Sequence, residues 1–305
     1  MVYLEDNVTP DVVFVVGGTK RLIWLWRLRN KGVPIVHRLD GMNWLHLKIQ
    51  TSMKQWLLNE TRNLLMQTIR SFFADAVIYQ SKFVLDWWHR KGFFSRAMET
   101  VIHNGIDLDT FVPHARSPGA PVSLLCVEGN LDYSPYAIDL LNYLQDRLIE
   151  HSNYKSLILY GSFQDNRNRL RLSPQIDYRG VVTRSELPSV YKEAVYLSLD
   201  VNAACPNTVI EALACGIPVI GFDTGALREL VPSQAGAVVP YGSNPWNLDY
   251  PDFDALVVAA KRVLNGWERI AREARRVAEE RYGLPYITQQ YLSVINACYS
   301  LGRLK

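Results

Sequence analysis

Residues 204–230 read ACPNTVIEALACGIPVIGFDTGALREL, and this stretch decides the fold. Its order is loop, short helix, buried apolar strand, glycine turn and second helix, the alternation that builds a parallel α/β sheet. The Pro206-Asn207-Thr208 loop opens a helix whose first backbone N–H groups lack intrahelical partners, and the helix dipole adds to their attraction for an anion. One carboxylate, Glu211, follows in the first turn. It cannot hold a phosphate, but it can accept hydrogen bonds from sugar hydroxyls beside one. Phosphate and sugar together point to a nucleotide-sugar. The bland alternative is equally explicit: Thr208-Val-Ile-Glu211 has the spacing of a capping box, in which the glutamate reaches back to the start of its own helix.

Working outward, short apolar runs and helical patterns alternate along the whole chain. Strands are read at 12–16, 34–39, 75–79 and 100–103, with helices at 21–31, 51–73 and 82–91, the last capped by Ser81. After a Ser/Pro/Gly-containing linker at 114–121, a second series follows. Its strands are 122–127, 156–160, 176–179, 196–199 and 218–221; its helices are 136–149, 185–194 and 208–215. The final third reads as helices at 253–264, 267–282 and 287–301. Two doubly wound Rossmann-like domains facing a cleft are the architecture this pattern predicts, with ligands at strand carboxyl ends.

With 305 residues, 48% of them hydrophobic and 21% charged, the chain has room for two such domains. A net charge of only +3 excludes a nucleic-acid binder that must offset many phosphates. The four cysteines show neither CxxC spacing nor grouping with histidine, so they read as reduced, buried thiols of a cytoplasmic protein. No apolar run reaches the roughly 18 residues that span a bilayer.

With these elements in place, the chain resembles the family 4 glycosyltransferases, the retaining group with the GT-B fold. The resemblance is carried by ADAVIYQSKFV at 74–84, VIHNGIDLDTFVP at 101–113, VEGNLDYSPYAIDLL at 127–141, IDYRGVVTRSELPSVYKEA at 176–194 and the opening stretch. It implies an acceptor-side domain over 1–115, a donor-binding domain over 116–283, and a helix at 284–305 that packs back on the first domain. It implies a donor site of Glu211, Asn207, Thr208, Pro206, Asn130, Gly129, Arg179 and Val181, with Glu211 on the ribose and the helix start on the diphosphate. No metal and no cofactor is implied; the nucleotide-sugar is a substrate, and the acceptor is a saccharide or a lipid-linked sugar.

Three departures qualify the resemblance. The family carries two glutamates eight positions apart, and the first falls here at Ala203, with Asp200 or Asn202 near enough to stand in. The basic pair that usually grips the diphosphate reads Asn130 and Pro135, which leaves backbone N–H groups, aided by Arg179 or Arg184. The N-terminal domain is shortened, so either a longer chain precedes Met1 or a partner covers a bare sheet edge.

In the first domain, His37-Arg-Leu-Asp40-Gly41 ends a strand. The family places a histidine near this strand end, and the position aligns with Asp40. Asp40 and His37 are therefore the catalytic candidates, Asp40 to orient or activate the acceptor hydroxyl. The plain readings are an Asp-Gly turn for Asp40 and a satisfied core residue for His37. Trp24, Trp26, Arg27, Arg29 and Lys31 form an aromatic-basic helix that suits peripheral contact with the inner membrane face, or simply core rings beside a solvated face. Two other readings remain at this point: a GT-B nucleotide-sugar epimerase, and a non-catalytic subunit that keeps the shape of the donor pocket.

Overall fold

The computed structural model describes residues 9–92, 94–115, 119–132, 134–192 and 194–302. The chain divides into two compact units: residues 1–103 with 285–305, and residues 104–284.

The first unit is built on a parallel sheet. Strand β1 (Val13–Val16) is followed by helix α1 (Leu22–Asn30), β2 (Ile35–Leu39), α2 (Met53–Thr68), β3 (Ala76–Tyr79), α3 (Lys82–Arg90) and β4 (Met98–Val101). Among the described residues the strand order is β1-β2-β3-β4, each pair parallel. A parallel sheet buries both faces, which is why β2 and β3 read as near-continuous apolar runs. One face takes Leu25 and Leu28 of α1 with Ile69; the other takes Ile287 and Cys298 of α11 (Leu284–Gly302). Ser81 caps α3, its hydroxyl accepting from the Val84 amide at 3.2 Å. The helix read over 51–73 is α-helical only to Thr68 and widens into a π turn over Ile69–Phe73. The π turn seats Arg70, buried, against the Tyr79 hydroxyl (2.7 Å) and the Glu99 carboxylate (3.0 Å). A buried guanidinium needs such partners, and a π turn is a common device where a helix must re-aim a side chain.

The second unit runs β5 (Val122–Asn130), α4 (Ala137–Leu148), β6 (Tyr154–Ser162), α5 (Asn166–Leu170), β7 (Asp177–Gly180), α6 (Leu187–Val190), β8 (Ala194–Leu197), α7 (Asn207–Ala214), β9 (Val219–Phe222), α8 (Leu227–Leu230), β10 (Gly236–Val239), α9 (Phe253–Asn265) and α10 (Trp267–Arg281). Its parallel sheet has the order β10-β9-β8-β5-β6-β7 among the described residues. Two parts of the sequence reading need correction. The helix expected over 185–194 is only the short α6, because Tyr191 turns into the core and Ala194 already pairs with Ser123 of β5. Strand β10 has no counterpart among the strands expected from sequence: Gly-Ala-Val-Val is too short a run to carry periodicity, and its pairing with β9 exists only in the folded sheet.

The unit boundary also falls earlier than the 115/116 division. Residues 104–113 are tied into the second unit: the Ile106 amide donates to the Tyr282 carbonyl at 2.8 Å, and Asn104 Nδ2 donates to the Cys205 carbonyl at 3.0 Å. The cysteines are free and buried. No helix among the described residues is long and apolar enough to cross a membrane.

Candidate functional site

In the second unit β5 is followed by β6 on one side and lies beside β8 on the other, so the strand order reverses between β5 and β8. A doubly wound sheet opens its binding crevice at such a point, outside the carboxyl ends of the strands. Three segments meet this edge: the end of β5, the loop after β8, and the start of α7.

Helix α7 begins at Asn207 with Pro206 as N-cap, and no side chain caps it. Its free N–H groups are thus available to an anion. The other end is fixed by Arg275, whose Nη1 donates to the carbonyls of Ala214 (2.7 Å) and Phe111 (2.8 Å), and by Gly216 at φ +68° past the C-cap. Asn207 is exposed, its side-chain oxygen accepting from Asn104 Nδ2 at 2.8 Å. The Tyr196 hydroxyl, which donates to the Val127 carbonyl at 3.3 Å, lies near the Thr208 side chain. Glu211 is buried and accepts from the Tyr191 hydroxyl at 2.9 Å. The capping-box alternative is therefore not what the fold uses: the helix starts one residue before Thr208, and the glutamate turns to Tyr191. Burial raises the Glu211 carboxyl above its usual range, opposed by the Tyr191 hydrogen bond and the Arg184 charge.

The loop after β8 is clamped from β9. Thr224 Oγ1 donates to Asn202 Oδ1 at 2.6 Å and accepts from the Asn202 amide at 3.1 Å, and the Ala226 amide donates to the Ala203 carbonyl at 2.9 Å. Gly225 sits at φ +60°, and a Cβ there would lie 2.5 Å from the Ala203 backbone, so only glycine permits this approach. Ala203 thus occupies a backbone seat in this clamp. Of its two proposed stand-ins, Asn202 is engaged by Thr224, while Asp200 lies close enough to Glu128 to perturb it.

Glu128 is the residue the sequence reading missed. It ends the buried run of β5 and its Oε1 accepts from the Leu199 amide at 3.4 Å, across the switch point. Burial first, then the Asp200 charge, push its carboxyl well above the usual carboxylate range. The signal was present: a lone acid closing an otherwise apolar strand, directly before Gly129-Asn130.

Gly129 and Asn130 lie at the same strand end. Gly129 is exposed with open space where a Cβ would stand, and Asn130 accepts from the Asp132 amide at 2.9 Å in a local turn. Arg179 and Val181 sit apart from them around β7, the outer strand of the sheet. Arg179 is paired with Asp177 at 2.6 Å and Val181 is 73% exposed. Arg184, rather than Arg179, is the cation whose field reaches Glu211.

In the first unit His37 and Asp40 separate cleanly. His37 is fully buried, its Nε2 2.6 Å from the Gly17 carbonyl, and burial lowers its pKa to about 4. Its environment is that of the core residue, a neutral tie between β2 and the loop after β1. Asp40 stands at the carboxyl end of β2 with its side chain 48% exposed. Arg38 Nη1 (3.0 Å) and Gln80 Nε2 donate to its Oδ1, and Trp88 Nε1 donates to its carbonyl at 3.0 Å. Asp40 is a fixed, solvent-facing carboxylate. Among the described residues no group of three or more His, Cys, Asp or Glu is placed to hold a metal ion.

Residues 124–264, from β5 to α9, match the family described as glycosyl transferases group 1. This match covers less than half of the chain and lies wholly within the second unit. An uncharacterized glycosyltransferase of Methanocaldococcus jannaschii is 26% identical over 186 residues, which is 57% of this chain and 45% of that protein. The chain therefore spans under half the length of this curated relative. Two solved structures resemble nearly the whole chain. Sucrose-phosphate synthase of Thermosynechococcus elongatus superposes with a TM-score of 0.72 at 19% identity, covering 97% of this chain and 75% of its own. HepE of Anabaena, in complex with UDP and glucose, gives 0.68 at 17% identity, covering 94% and 78%. Likeness at these identities is likeness of fold: two Rossmann-like units of the GT-B type.

Proposed function

We propose that this protein transfers a sugar, with retention of configuration, from a nucleotide-sugar to a saccharide or lipid-linked acceptor. The observation that carries the reading is the uncapped start of α7 beside the buried Glu211, at the switch point of the second unit. The free N–H groups at Asn207 and Thr208 would take the diphosphate and offset its charge as it leaves, and Glu211 would accept from the ribose hydroxyls. Gly129, Asn130 and Pro206 would border the donor. Arg184 supports the phosphates better than Arg179, whose guanidinium is engaged by Asp177. Asp40, held by Arg38 and Gln80, would orient the acceptor hydroxyl. That neighbours of the same fold bind UDP with glucose supports a nucleotide-sugar donor.

The helix dipole would supply the charge stabilisation a metal gives elsewhere, so turnover is expected to persist in EDTA. Four free cysteines fit the cytoplasm. Exposed Trp26 beside Arg27 and Arg29 on α1 fits peripheral membrane contact, and exposed Phe14 and Val16 on β1, the outer strand among the described residues, fit a covering partner.

The decisive experiment is calorimetric titration of nucleoside diphosphates and their sugars into the wild type and Glu211→Gln. The glutamine keeps an acceptor for Tyr191, so the fold should hold, while losing a charge-assisted hydrogen bond to ribose should weaken donor binding about tenfold or more. Unchanged donor binding in Glu211→Gln refutes the assignment. Binding without turnover across a donor and acceptor panel favours the non-catalytic subunit, a reading that Ala203 in its backbone clamp also favours.

A further inference from the structure

The first unit holds a cavity of about 690 Å³ that the transfer reaction does not use. Its walls are the residues just before β2, β3 and β4: Val33 and Pro34, Ala74 and Asp75, Arg96 and Ala97. It therefore opens at the amino edge of the sheet, whereas Asp40 stands at the carboxyl edge. Six residue steps along β2 separate Pro34 from Asp40, roughly 20 Å at strand rise. This volume lies in the range of small-molecule sites, which runs from about 300 to 1,000 Å³.

Charge in the cavity is unbalanced. Arg29, on the last turn of α1, and Arg96 both line it, and among the described residues the one acid in its lining is Asp75. Asp75 is part of the sheet edge: its Oδ2 accepts from the Ile35 amide at 3.0 Å, its amide donates to the Ile35 carbonyl at 2.8 Å, and its carbonyl accepts from Met98 at 2.9 Å. Arg29 Nη1 donates to the Phe73 carbonyl at 2.5 Å, which anchors the guanidinium and leaves its other donors for a ligand. Arg96 makes no ion pair or hydrogen bond among the described residues. Two guanidiniums on one cavity match a doubly charged oxyanion, because each presents a planar set of donors to phosphate oxygens.

Apolar surface completes the pattern. Val33, Pro34, Ala74, Ala97 and Met98 supply the walls, and Met98 is 40% exposed. Phe94, two residues before Arg96, is 78% exposed, and Phe72, beside the Phe73 that anchors Arg29, is 67% exposed. A cavity with cations and apolar walls takes a ligand with an anionic head and an apolar body.

We propose that this cavity binds a phosphate monoester, its phosphate between Arg29 and Arg96 and its organic part along the Val33–Met98 walls. Such a group comes either from a membrane lipid headgroup or from a soluble phosphate ester, and the two are separable. Dihexanoyl phosphatidic acid below its micelle concentration and glycerol 3-phosphate are titrated into the full chain, wild type and Arg96→Glu, with UDP titrated in parallel. Saturable binding of the short-chain lipid is expected, at least about tenfold weaker in Arg96→Glu, with the melting temperature and UDP binding of that variant unchanged. Tighter binding of the lipid than of glycerol 3-phosphate assigns the site to a lipid headgroup; equal binding assigns it to a soluble ester. The proposal is overturned if neither probe binds saturably, or if Arg96→Glu binds both like the wild type. Because UDP reads the second unit, failure here is distinct from failure of the donor site.

Discussion

Acidification should weaken the first unit through His37, by an amount the structure specifies. The imidazole is fully buried, with Nε2 on the Gly17 carbonyl, and its pKa is lowered from 6.5 to about 4, chiefly by burial, with the Arg70 charge adding to the effect. In the unfolded chain the same group takes a proton near 6.5. Between these values the unfolded state binds more protons, so stability is complete above about pH 6.5 and falls as pH drops toward 4. The gap of about 2.5 pH units, at roughly 1.4 kcal/mol each, amounts to about 3.5 kcal/mol over the whole window. His37→Gln isolates this contribution, because glutamine places an N–H donor near the position of Nε2 and does not titrate. Urea unfolding followed by tryptophan fluorescence suits the test, since of the eight tryptophans only Trp246 and Trp267 lie outside the first unit. From about pH 7 to pH 4.5 the wild type should lose on the order of 2–3 kcal/mol more than the variant. Parallel losses in the two proteins would refute a buried, neutral His37.

Two further perturbations probe the second unit. Gly225→Ala places a Cβ 2.5 Å from the Ala203 backbone at φ +60°, and should destabilise by about 2–4 kcal/mol, read as a lower melting temperature. An unchanged melting temperature would mean the β8 and β9 loops are not clamped. Glu128→Gln should stabilise at neutral pH by a few degrees, because burial and Asp200 raise the carboxyl's pKa. A raised pKa contributes stability below about 4.5 that is lost as pH rises, so the advantage of the glutamine should grow with pH and vanish near pH 4.5. An advantage that does not depend on pH would exclude the Glu128–Asp200 interaction.

Much of the architecture was legible because parallel sheets require strands apolar on both faces and helices apolar on one. The runs ending at Val16, Leu39, Tyr79 and Gly221 announce themselves that way, and Ser81 announces its helix by capping chemistry. What stayed hidden was decided at a distance. The stretch 185–194 carries helical spacing, yet the turn of Tyr191 toward Glu211, twenty residues on, breaks the helix after Val190. Arg179 and Arg184 look interchangeable along the chain; Asp177, two residues away on the same face of β7, engages the first and leaves the second to reach Glu211.

The sequence alone determined the fold class, the order of elements, the helix start at Asn207–Thr208 and the position of Glu211, because each rests on local periodicity or turn chemistry. It could only pose alternatives where a side chain's role depends on what packs against it. The structure supplies the neighbours, each remote in the chain: Tyr191 for Glu211, the Gly17 carbonyl for His37, Thr224 for Asn202 and Glu128 for Asp200. The Arg29–Arg96 cavity is the extreme case. Its two cations stand on segments 67 positions apart in sequence, and only the parallel register of β2, β3 and β4 brings those segments to one edge.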